Sequence, residues 1–254
     1  MAFESVTADV LYPLALKDTA RNYFVCYSIN NHQSYAAVWQ LKVDGKPIIG
    51  VFLRKTGIVQ IIHEPGIILE NYKEDLASLL DKIPWKQAYV STSLKNLIQS
   101  MAIETRIHEG AFIAACSSDS YRPGTASKAL TIRALTVDDL DEVIAIYLNV
   151  FKGFASYEYM VDKLKTGRGR ATGGFLEDKL VTVSQSDFEC NASAIVVGVA
   201  TRHDAQGNGY GRTCLEYLCN QLILNENKTL YLQYDSPVAG ALYKRLGFEI
   251  VEQI

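Results

Sequence analysis

A buried strand, a glycine-rich loop and an amphipathic helix follow one another in Val196–Leu224, the stretch that most constrains the fold. Ala194–Ala200 is apolar and rich in β-branched residues, which is typical of a covered strand. The segment Gln206–Gly211, called the glycine loop below, holds three glycines, and apolar residues recur at helical spacing after it. Glycines let a backbone approach a ligand closely, and a helix N-terminus presents unpaired N–H groups. The stretch therefore indicates either a phosphate-binding loop or a plain strand-to-helix turn.

The spacing of the glycines separates two kinds of phosphate-binding loop. A dinucleotide-binding turn reads G-x-G-x-x-G directly after its strand, with an acid closing the next strand. Here the glycines are spaced G-x-G-x-G, and five residues, Arg202–Gln206, separate them from the strand. Asp235 does close the next strand, so a nicotinamide dehydrogenase stays open as a rival. The other pattern is Q/R-x-x-G-x-G/A, which Gln206, Gly209 and Gly211 match.

The downstream sequence decides between these patterns. An apolar strand, Leu230–Tyr234, precedes D-S-P-V-A-G-A-L-Y-K-R-L-G-F at Asp235–Phe248. With the glycine loop, and in the same order, this segment resembles the GNAT acetyltransferases, whose motif there is N-x-x-A-x-x-x-Y-x-x-x-G-F. Ser236 stands where the family usually has Asn, and the resemblance covers the chain from about Leu130 onward. The matching residues are Ala239, Tyr243, Gly247 and Phe248.

Composition and motifs exclude several classes of function. The chain has 254 residues and a net charge of −3, so bulk electrostatics give no reason to expect a nucleic-acid partner. No stretch approaches the roughly 20 apolar residues of a membrane span, and no signal-peptide pattern occurs, so we expect a cytoplasmic protein with no membrane partner. Five scattered cysteines without a C-x-x-C pair predict buried thiols. Without H-E-x-x-H, G-x-S-x-G or G-K-[ST] motifs, we expect no metal, serine hydrolase or P-loop site.

The pattern of elements divides the chain into two halves. The first half reads as a helix, three strands, a helix, a strand, a helix and a strand, with a hairpin turn at Asp44-Gly45. Asn71 and Glu74 have the spacing of a helix capping box. Ser117–Lys128 is polar and contains Pro-Gly, which predicts a linker. We therefore predict an α/β (α+β) protein of two tandem GNAT-like mixed-sheet units, residues 1–120 and 128–254.

The first half departs from the family where phosphate would bind. Its third strand is followed by H-E-P-G-I-I-L-E-N-Y, and no Y-x-x-x-G-F follows its last helix. We predict a degenerate copy that covers the sheet, shapes the acceptor pocket or forms a homodimer. The family also ends with two strands after G-F, whereas only Glu249–Ile254 remain here. We expect a final strand from the first half or from another subunit.

The resemblance implies direct transfer of an acetyl group from acetyl-CoA to a primary amine on a small molecule or peptide. Backbone N–H groups of the glycine loop would hold the pyrophosphate, and those at the end of the preceding strand would bind the pantetheine arm and the developing oxyanion. The cofactor-binding residues so implied are Val199, Ala200, Thr201, Gln206, Gly207, Asn208, Gly209, Tyr210, Gly211, Arg212, Ser236 and Ala239.

Two further residues are implied as catalytic. Tyr243 matches the family tyrosine that protonates the leaving thiolate, and a phenol with a pKa near 10 suits that role. Glu189 is the predicted general base, and Asp187 and Glu216 are the other acids that could serve. The rival interpretation is a CoA-binding sensor that transfers nothing, which agrees with Ser236 in place of Asn and with the uncertain base. The identity of the acceptor is not encoded in any motif.

Overall fold

The computed structural model describes residues 2–29, 35–101, 111–125 and 127–253, without the side chains of Phe24, Tyr27, Tyr89 and Thr92. The chain divides into two compact units. The first comprises Met1–Ile113 with Val251–Ile254, and the second comprises Ala114–Ile250. The predicted linker Ser117–Lys128, whose Ala126 lies outside the described residues, belongs to the second unit.

The first unit contains a five-stranded sheet. Its strands are β1 (Glu4–Ser5), β2 (Tyr35–Val43), β3 (Lys46–Arg54), β4 (Ile58–His63) and β5 (Gln87–Tyr89). They lie in chain order, antiparallel except for the parallel pair β4 and β5. The sequence pattern predicts a strand over residues 34–43, and its first residue, Ser34, lies outside the described residues. The helices are α1 (Tyr12–Ala15), α2 (Thr19–Ile29), α3 (Lys73–Leu80) and α4 (Thr92–Gln99).

In the first unit, the structure confirms the predicted hairpin turn but not the predicted helix capping box. Asp44 and Gly45 have φ values of 50° and 75°, the left-handed geometry of a two-residue hairpin turn. The predicted capping box at Asn71 and Glu74 is wrong, because a 3₁₀ turn at Leu69–Tyr72 precedes α3. The N-cap residue of α3 is consequently Tyr72, which makes no side-chain cap bond.

The second sheet has seven strands, most of whose residues belong to the second unit. Its strands are β6 (Phe112–Cys116), β7 (Thr131–Ala134), β8 (Ala171–Leu176), β9 (Lys179–Asp187), β10 (Ser193–Thr201), β11 (Thr229–Tyr234) and β12 (Glu249–Gln253). Their order is β12-β6-β11-β10-β9-β8-β7. The run from β7 to β10 is antiparallel, whereas β10 and β11 are parallel. The strand that the family motif leaves missing is therefore β6, from the first half of the sequence.

Helices cover both faces of this sheet. They are α5 (Leu140–Val150), α6 (Tyr157–Thr166), α7 (Tyr210–Cys219) and α8 (Pro237–Arg245), and a π-helical turn, Asn220–Asn225, continues α7. Apolar side chains of α5 and α6 pack with β8, β9 and β10, and those of α7 and α8 form a second core with β6, β10 and β11. The helical spacing of apolar residues from Leu140 to Phe151 predicts that Leu148 lies on the buried face of α5, but Leu148 is 69% exposed and Ile146 is buried instead.

The predicted linker crosses α7 and is bonded to it. Tyr121 Oη donates to Asn220 Oδ1 at 2.7 Å, and Gly124 N donates to Glu216 Oε1 at 2.5 Å. Ser127 N donates to Thr213 Oγ1 at 3.0 Å. These acceptors recur every three or four residues and so share one face of the helix. The segment is a strap held on α7 rather than a free linker.

Helix α6 carries a lysine, Lys163, whose side chain is buried in the core. Lys163 is 2% exposed, and its Nζ donates to Gln185 Oε1. Burial lowers the pKa of Lys163 to about 8, with Arg168 acting in the same direction and Asp187 and Glu189 opposing it. Folding therefore places a charged ammonium in a poorly solvated position at neutral pH, which costs stability.

We predict that the free energy of unfolding of the wild type rises relative to Lys163→Met as pH increases from about 8 to 10.5. In this window the unfolded chain holds a proton on Lys163 that the folded chain has lost, so raising pH favours the folded state. The full change is about 3 kcal/mol, measured by chemical denaturation at a series of pH values. Lys165→Met, at an exposed position of α6, is the control. A wild-type to Lys163→Met difference that does not vary with pH would contradict the prediction.

Candidate active site

Strands β10 and β11 separate partway along their length. They pair only over Ser193–Ile195 and Thr229–Tyr231, and both continue beyond the last pair. The register of β10 against β9 shifts between Val197 and Ala200, which is a β-bulge. Gly198 within the bulge has a φ of 59°. The result is a cleft between two parallel strands, lined by backbone not used in their ladder.

The peptide groups at the end of β10 point alternately into this cleft and towards β9. Arg202 N donates to Val181 O on β9 at 2.9 Å, and backbone directions alternate along a strand, so Thr201 faces the cleft and Ala200 faces β9. Ala200 O also accepts a hydrogen bond from Thr182 Oγ1 at 3.0 Å. The structure therefore supports a cofactor contact through Thr201 but not through the backbone of Ala200. Val199 lies inside the bulge.

The glycine loop is open to solvent at the positions where a ligand would approach. Gly207 and Gly209 have φ values of 82° and 78°, in the left-handed region that favours glycine. A Cβ atom placed on either would have no described heavy atom within 4 Å. Gly211 differs, because a Cβ there would lie 2.8 Å from Thr201 Oγ1. Two of the glycines thus provide space for a ligand, and the third allows α7 to pack closely on β10.

Helix α7 begins at this loop with its N–H groups pointing outward. Gly209 is the N-cap residue, and the N–H of Thr213 donates to Gly209 O at 3.1 Å. The N–H groups of Tyr210, Gly211 and Arg212 precede that bond and belong to the first turn, which lacks intrahelical acceptors. Together with the helix dipole they form a site suited to an anion.

Side chains of the loop stabilise its shape. Asn208 Nδ2 donates to Ala205 O at 3.2 Å, and Gln206 Nε2 donates to Thr201 O at 3.0 Å. His203 Nε2 lies 2.8 Å from Asn149 O. The amide side chains predicted to bind the cofactor are therefore engaged within the loop, which leaves its backbone for the ligand.

Arg212 and Glu216 lie under the strap. A Cβ atom on Gly124 would overlap the Arg212 guanidinium, and Arg212 Nε is 3.8 Å from Glu216 Oε2. Glu216 is 4% exposed and accepts its hydrogen bond from the strap. Arg212 keeps its place in the first turn of α7, but the structure does not support Glu216 as a base acting in the cleft.

Tyr243 lies next to the end of β11. It is 8% exposed, and its ring centroid is 5.5 Å from that of Tyr234 and 5.7 Å from that of Phe248. Burial raises the pKa of Tyr243 to about 12, so the phenol stays protonated at physiological pH. Its hydroxyl has no hydrogen-bond partner within the described residues. These properties suit a proton donor.

Ser236 and Ala239 follow β11 at the start of α8. Ser236 is the exposed N-cap residue, and its side chain makes no cap bond. Its carbonyl accepts the N–H of Gly240 at 2.9 Å. Ala239 is half-buried against the core formed by α7 and α8. The Ser236 hydroxyl is thus available at the end of the strand that borders the cleft.

Glu189 does not lie at the cleft. Cys190, the next residue, donates its N–H to Ser193 O at the first residue of β10, about 20 Å from Val199 at roughly 3.3 Å per residue. Its carboxylate bonds to Arg170 Nε at 2.8 Å and to Lys228 Nζ at 3.1 Å. Burial tends to raise the pKa of Glu189, but its hydrogen bonds outweigh this and lower it below the usual value. The structure therefore does not support Glu189 as the general base.

The neighbouring charged residues are also engaged in structural contacts. Asp187 Oδ2 accepts a hydrogen bond from Tyr159 Oη at 2.8 Å, and Asp187 lies on β9 opposite Ile195, where β10 is still paired with β11. Arg170 also pairs with Glu226 at 2.7 Å, and Arg168 pairs with Asp162 at 2.8 Å. None of the three predicted acids lies in the cleft, so the structure supplies no base among them.

Sequence reasoning missed the contact between Tyr147 and Gly198. Tyr147 Oη donates to Gly198 O at 2.8 Å, and a Cβ atom on Gly198 would overlap that hydroxyl. The helical spacing of apolar residues from Leu140 to Phe151 predicts only that Tyr147 lies on the buried face of its helix. The one available signal was the isolated glycine inside an apolar strand, which often marks a bulge.

The first unit repeats the parallel strand pair without the loop. Its β4 and β5 correspond in pairing to β10 and β11. The connection from β4 to α3 contains one glycine, Gly66, and passes through the 3₁₀ turn before the helix. This arrangement agrees with the prediction of a copy without a phosphate-binding loop.

The described residues contain neither a cluster of metal-ligating side chains nor a membrane-spanning helix. In the ranges given above, no three His, Cys, Asp or Glu side chains gather where they could hold a metal ion. Of the helices described, none combines the length and apolar character needed to cross a bilayer.

Comparisons with known proteins agree with this geometry. A sequence model described as "Acetyltransferase (GNAT) family" matches residues 155–248, which include the glycine loop and Tyr243. A search of curated proteins finds no match.

Solved structures resemble the chain over nearly its whole length. An acetyltransferase from the GNAT family from Colwellia psychrerythraea is 11% identical with a TM-score of 0.69, covering 100% of this chain and 97% of that chain. A GCN5-related N-acetyltransferase from Sphaerobacter thermophilus is 14% identical with a TM-score of 0.67, and the match covers 99% of this chain and 93% of that chain. A tandem GNAT protein from the clavulanic acid biosynthesis pathway is 14% identical with a TM-score of 0.64, and the match covers 99% of this chain and 95% of that chain. Residues 155–248 thus match the model of the acetyltransferase (GNAT) family, and the whole chain has the fold of solved GNAT structures.

Proposed function

We propose that this protein is an N-acetyltransferase that moves an acetyl group from acetyl-CoA directly to a primary amine. The observation that carries the proposal is the open glycine loop at the start of α7, directly after the strand that separates from β11. A loop with left-handed glycines and a free helix N-terminus binds a diphosphate, and the adjoining cleft fits an extended arm.

The second unit has groups that match the pyrophosphate, the pantetheine arm and the thioester of acetyl-CoA. The pyrophosphate would accept hydrogen bonds from the backbone N–H groups of Gly207–Arg212. The pantetheine amides would pair with the backbone of Thr201 and with the Ser236 hydroxyl, as an added strand pairs with a sheet edge. Ala239 would bound the arm on the side of α8. The thioester would then lie near the bulge at Val199, where a backbone N–H can stabilise charge on its oxygen.

The reaction needs little chemistry from side chains. The amine nitrogen attacks the thioester carbon, a C–N bond forms, and the C–S bond breaks. Tyr243 gives its proton to the departing sulfur and regains one from the amine nitrogen through solvent. The amine must be neutral to attack, and since none of the three predicted acids lies in the cleft we propose that it enters already deprotonated or loses its proton to water. Holding both reactants in place lowers the activation free energy by about 7–11 kcal/mol.

The second candidate is a CoA-binding module that transfers nothing. Two observations favour it: Glu189, Asp187 and Glu216 all lie outside the cleft, and Ser236 carries a hydroxyl where the family usually has an amide. Thiol release from acetyl-CoA in the presence of a panel of small amines and peptides distinguishes the two, because a sensor would bind CoA without releasing thiol. A nicotinamide dehydrogenase would instead be stabilised against heat by NAD.

We predict that Gly209→Glu weakens acetyl-CoA binding at least about 100-fold in calorimetry. The side chain would enter the open space beside the helix N-terminus and place a negative charge where the diphosphate binds. The matched control is Gly66→Glu, since Gly66 also has a left-handed φ, of 83°, and open space around it. Affinity equal to that of the wild type in Gly209→Glu would rule out the loop as the binding site.

Tyr243→Phe should lower kcat by about 100-fold, since a positioned general acid contributes about 10²–10⁴. Acetyl-CoA affinity and melting temperature should stay unchanged, because the hydroxyl has no hydrogen bond within the described protein to lose. Tyr217→Phe, at an exposed position of α7, serves as the control. An unchanged kcat in Tyr243→Phe would make this tyrosine a packing residue only.

A further inference from the structure

A chain of buried hydrogen bonds ends on one peptide group of the β10 bulge. Gly198 O accepts from Tyr147 Oη at 2.8 Å, and Tyr147 Oη accepts from Gln185 Nε2 at 2.7 Å. Gln185 Oε1 in turn accepts from Lys163 Nζ. The three side chains are 2–3% exposed, and they come from α5, β9 and α6. Three elements of the fold thus converge on the carbonyl of Gly198.

The geometry of a peptide bond transfers this constraint to the next residue. In a trans peptide the carbonyl of one residue and the N–H of the next point in opposite directions. Since the Gly198 carbonyl points at Tyr147 on α5, the N–H of Val199 points away from α5. The left-handed φ of Gly198 and the lack of a side chain there are both required, because a Cβ atom would overlap Tyr147 Oη.

The chain also affects how strongly that N–H donates. A hydrogen bond to the carbonyl draws electrons through the peptide group and makes its N–H a better donor, and successive hydrogen bonds reinforce one another in a poorly solvated interior. The far end of the chain is an ammonium group, whose hydrogen bonds are stronger than those of a neutral donor. The Val199 N–H is therefore fixed in direction and polarised.

We propose that Tyr147, Gln185 and Lys163 are positioning residues for acetyl transfer, holding the Gly198–Val199 peptide so that the Val199 N–H meets the thioester oxygen. The inference rests on the proposed function and adds how the Val199 N–H, which stabilises the oxyanion, is held in position. A donor placed in advance lowers the barrier, because it stabilises charge that develops only in the transition state.

Tyr147→Phe tests the proposal, since it removes only the hydroxyl that holds Gly198. The expected result is a fall in kcat of about 10-fold, less than the 10²–10³ lost when an oxyanion donor is removed outright, with KM for acetyl-CoA within about 3-fold. The matched control is Tyr159→Phe on α6, which loses a 2.8 Å hydrogen bond to Asp187 that is not part of the chain ending on Gly198. Its kcat should equal that of the wild type.

A second variant tests whether the residues act as one chain. Gln185→Met should lower kcat to a similar extent, and the double variant Tyr147→Phe/Gln185→Met should be no slower than Tyr147→Phe alone. Additive losses in kcat would overturn the chain. If Tyr147→Phe does not fold, Gln185→Met alone decides, by its kcat relative to that of Tyr159→Phe.

The outcomes separate this proposal from the one on which it rests. A wild-type protein that neither binds acetyl-CoA nor releases thiol with any amine refutes the proposed function itself. A wild type that turns over, with Tyr147→Phe matching Tyr159→Phe in kcat, refutes the positioning role alone. A raised KM with unchanged kcat also refutes it, because the chain would then serve binding rather than the transition state.

Discussion

The separation of β10 from β11 is the constraint on which the candidate site depends. Parallel strands that stayed paired to their ends would satisfy each other's backbone and leave no cleft. One extra residue in β10, at a glycine that takes a left-handed φ, bends the strand away from its neighbour. The next turn of the chain then supplies the glycine loop and the start of α7. Cleft and anion site are thus built from consecutive residues of one strand–loop–helix unit.

Backbone and side chains have different roles in this unit. The groups exposed in the glycine loop and the cleft are mostly main-chain N–H groups, whereas the polar side chains nearby fix the loop, as Gln206 and Asn208 do. The predicted base Glu189 is instead held in structural ion pairs with Arg170 and Lys228. A site made of backbone depends on the fold more than on the identity of individual residues.

The sequence predicted those features that depend on local patterns. Apolar periodicity and glycine spacing located the strand, the loop and the helix, because each is decided within a few residues. Glu189 was misplaced because sequence shows that an acid precedes a strand but not which end of it borders the cleft. The contact between Tyr147 and Gly198 joins residues 51 apart along the chain, and the strap joins residues 86–99 apart, so no local pattern reports them. The sequence did not decide that β6 inserts beside β11, because these two strands are also far apart along the chain.

A crystal structure of the protein with acetyl-CoA tests the central claim most directly. The account predicts diphosphate oxygens about 2.7–3.2 Å from the backbone nitrogens of Gly209–Arg212, with the pantetheine arm lying between β10 and β11. It also predicts the thioester oxygen within hydrogen-bond distance of the Val199 nitrogen. A complex in which the diphosphate lies away from the glycine loop, or in which β10 and β11 close on each other and exclude the arm, would contradict it.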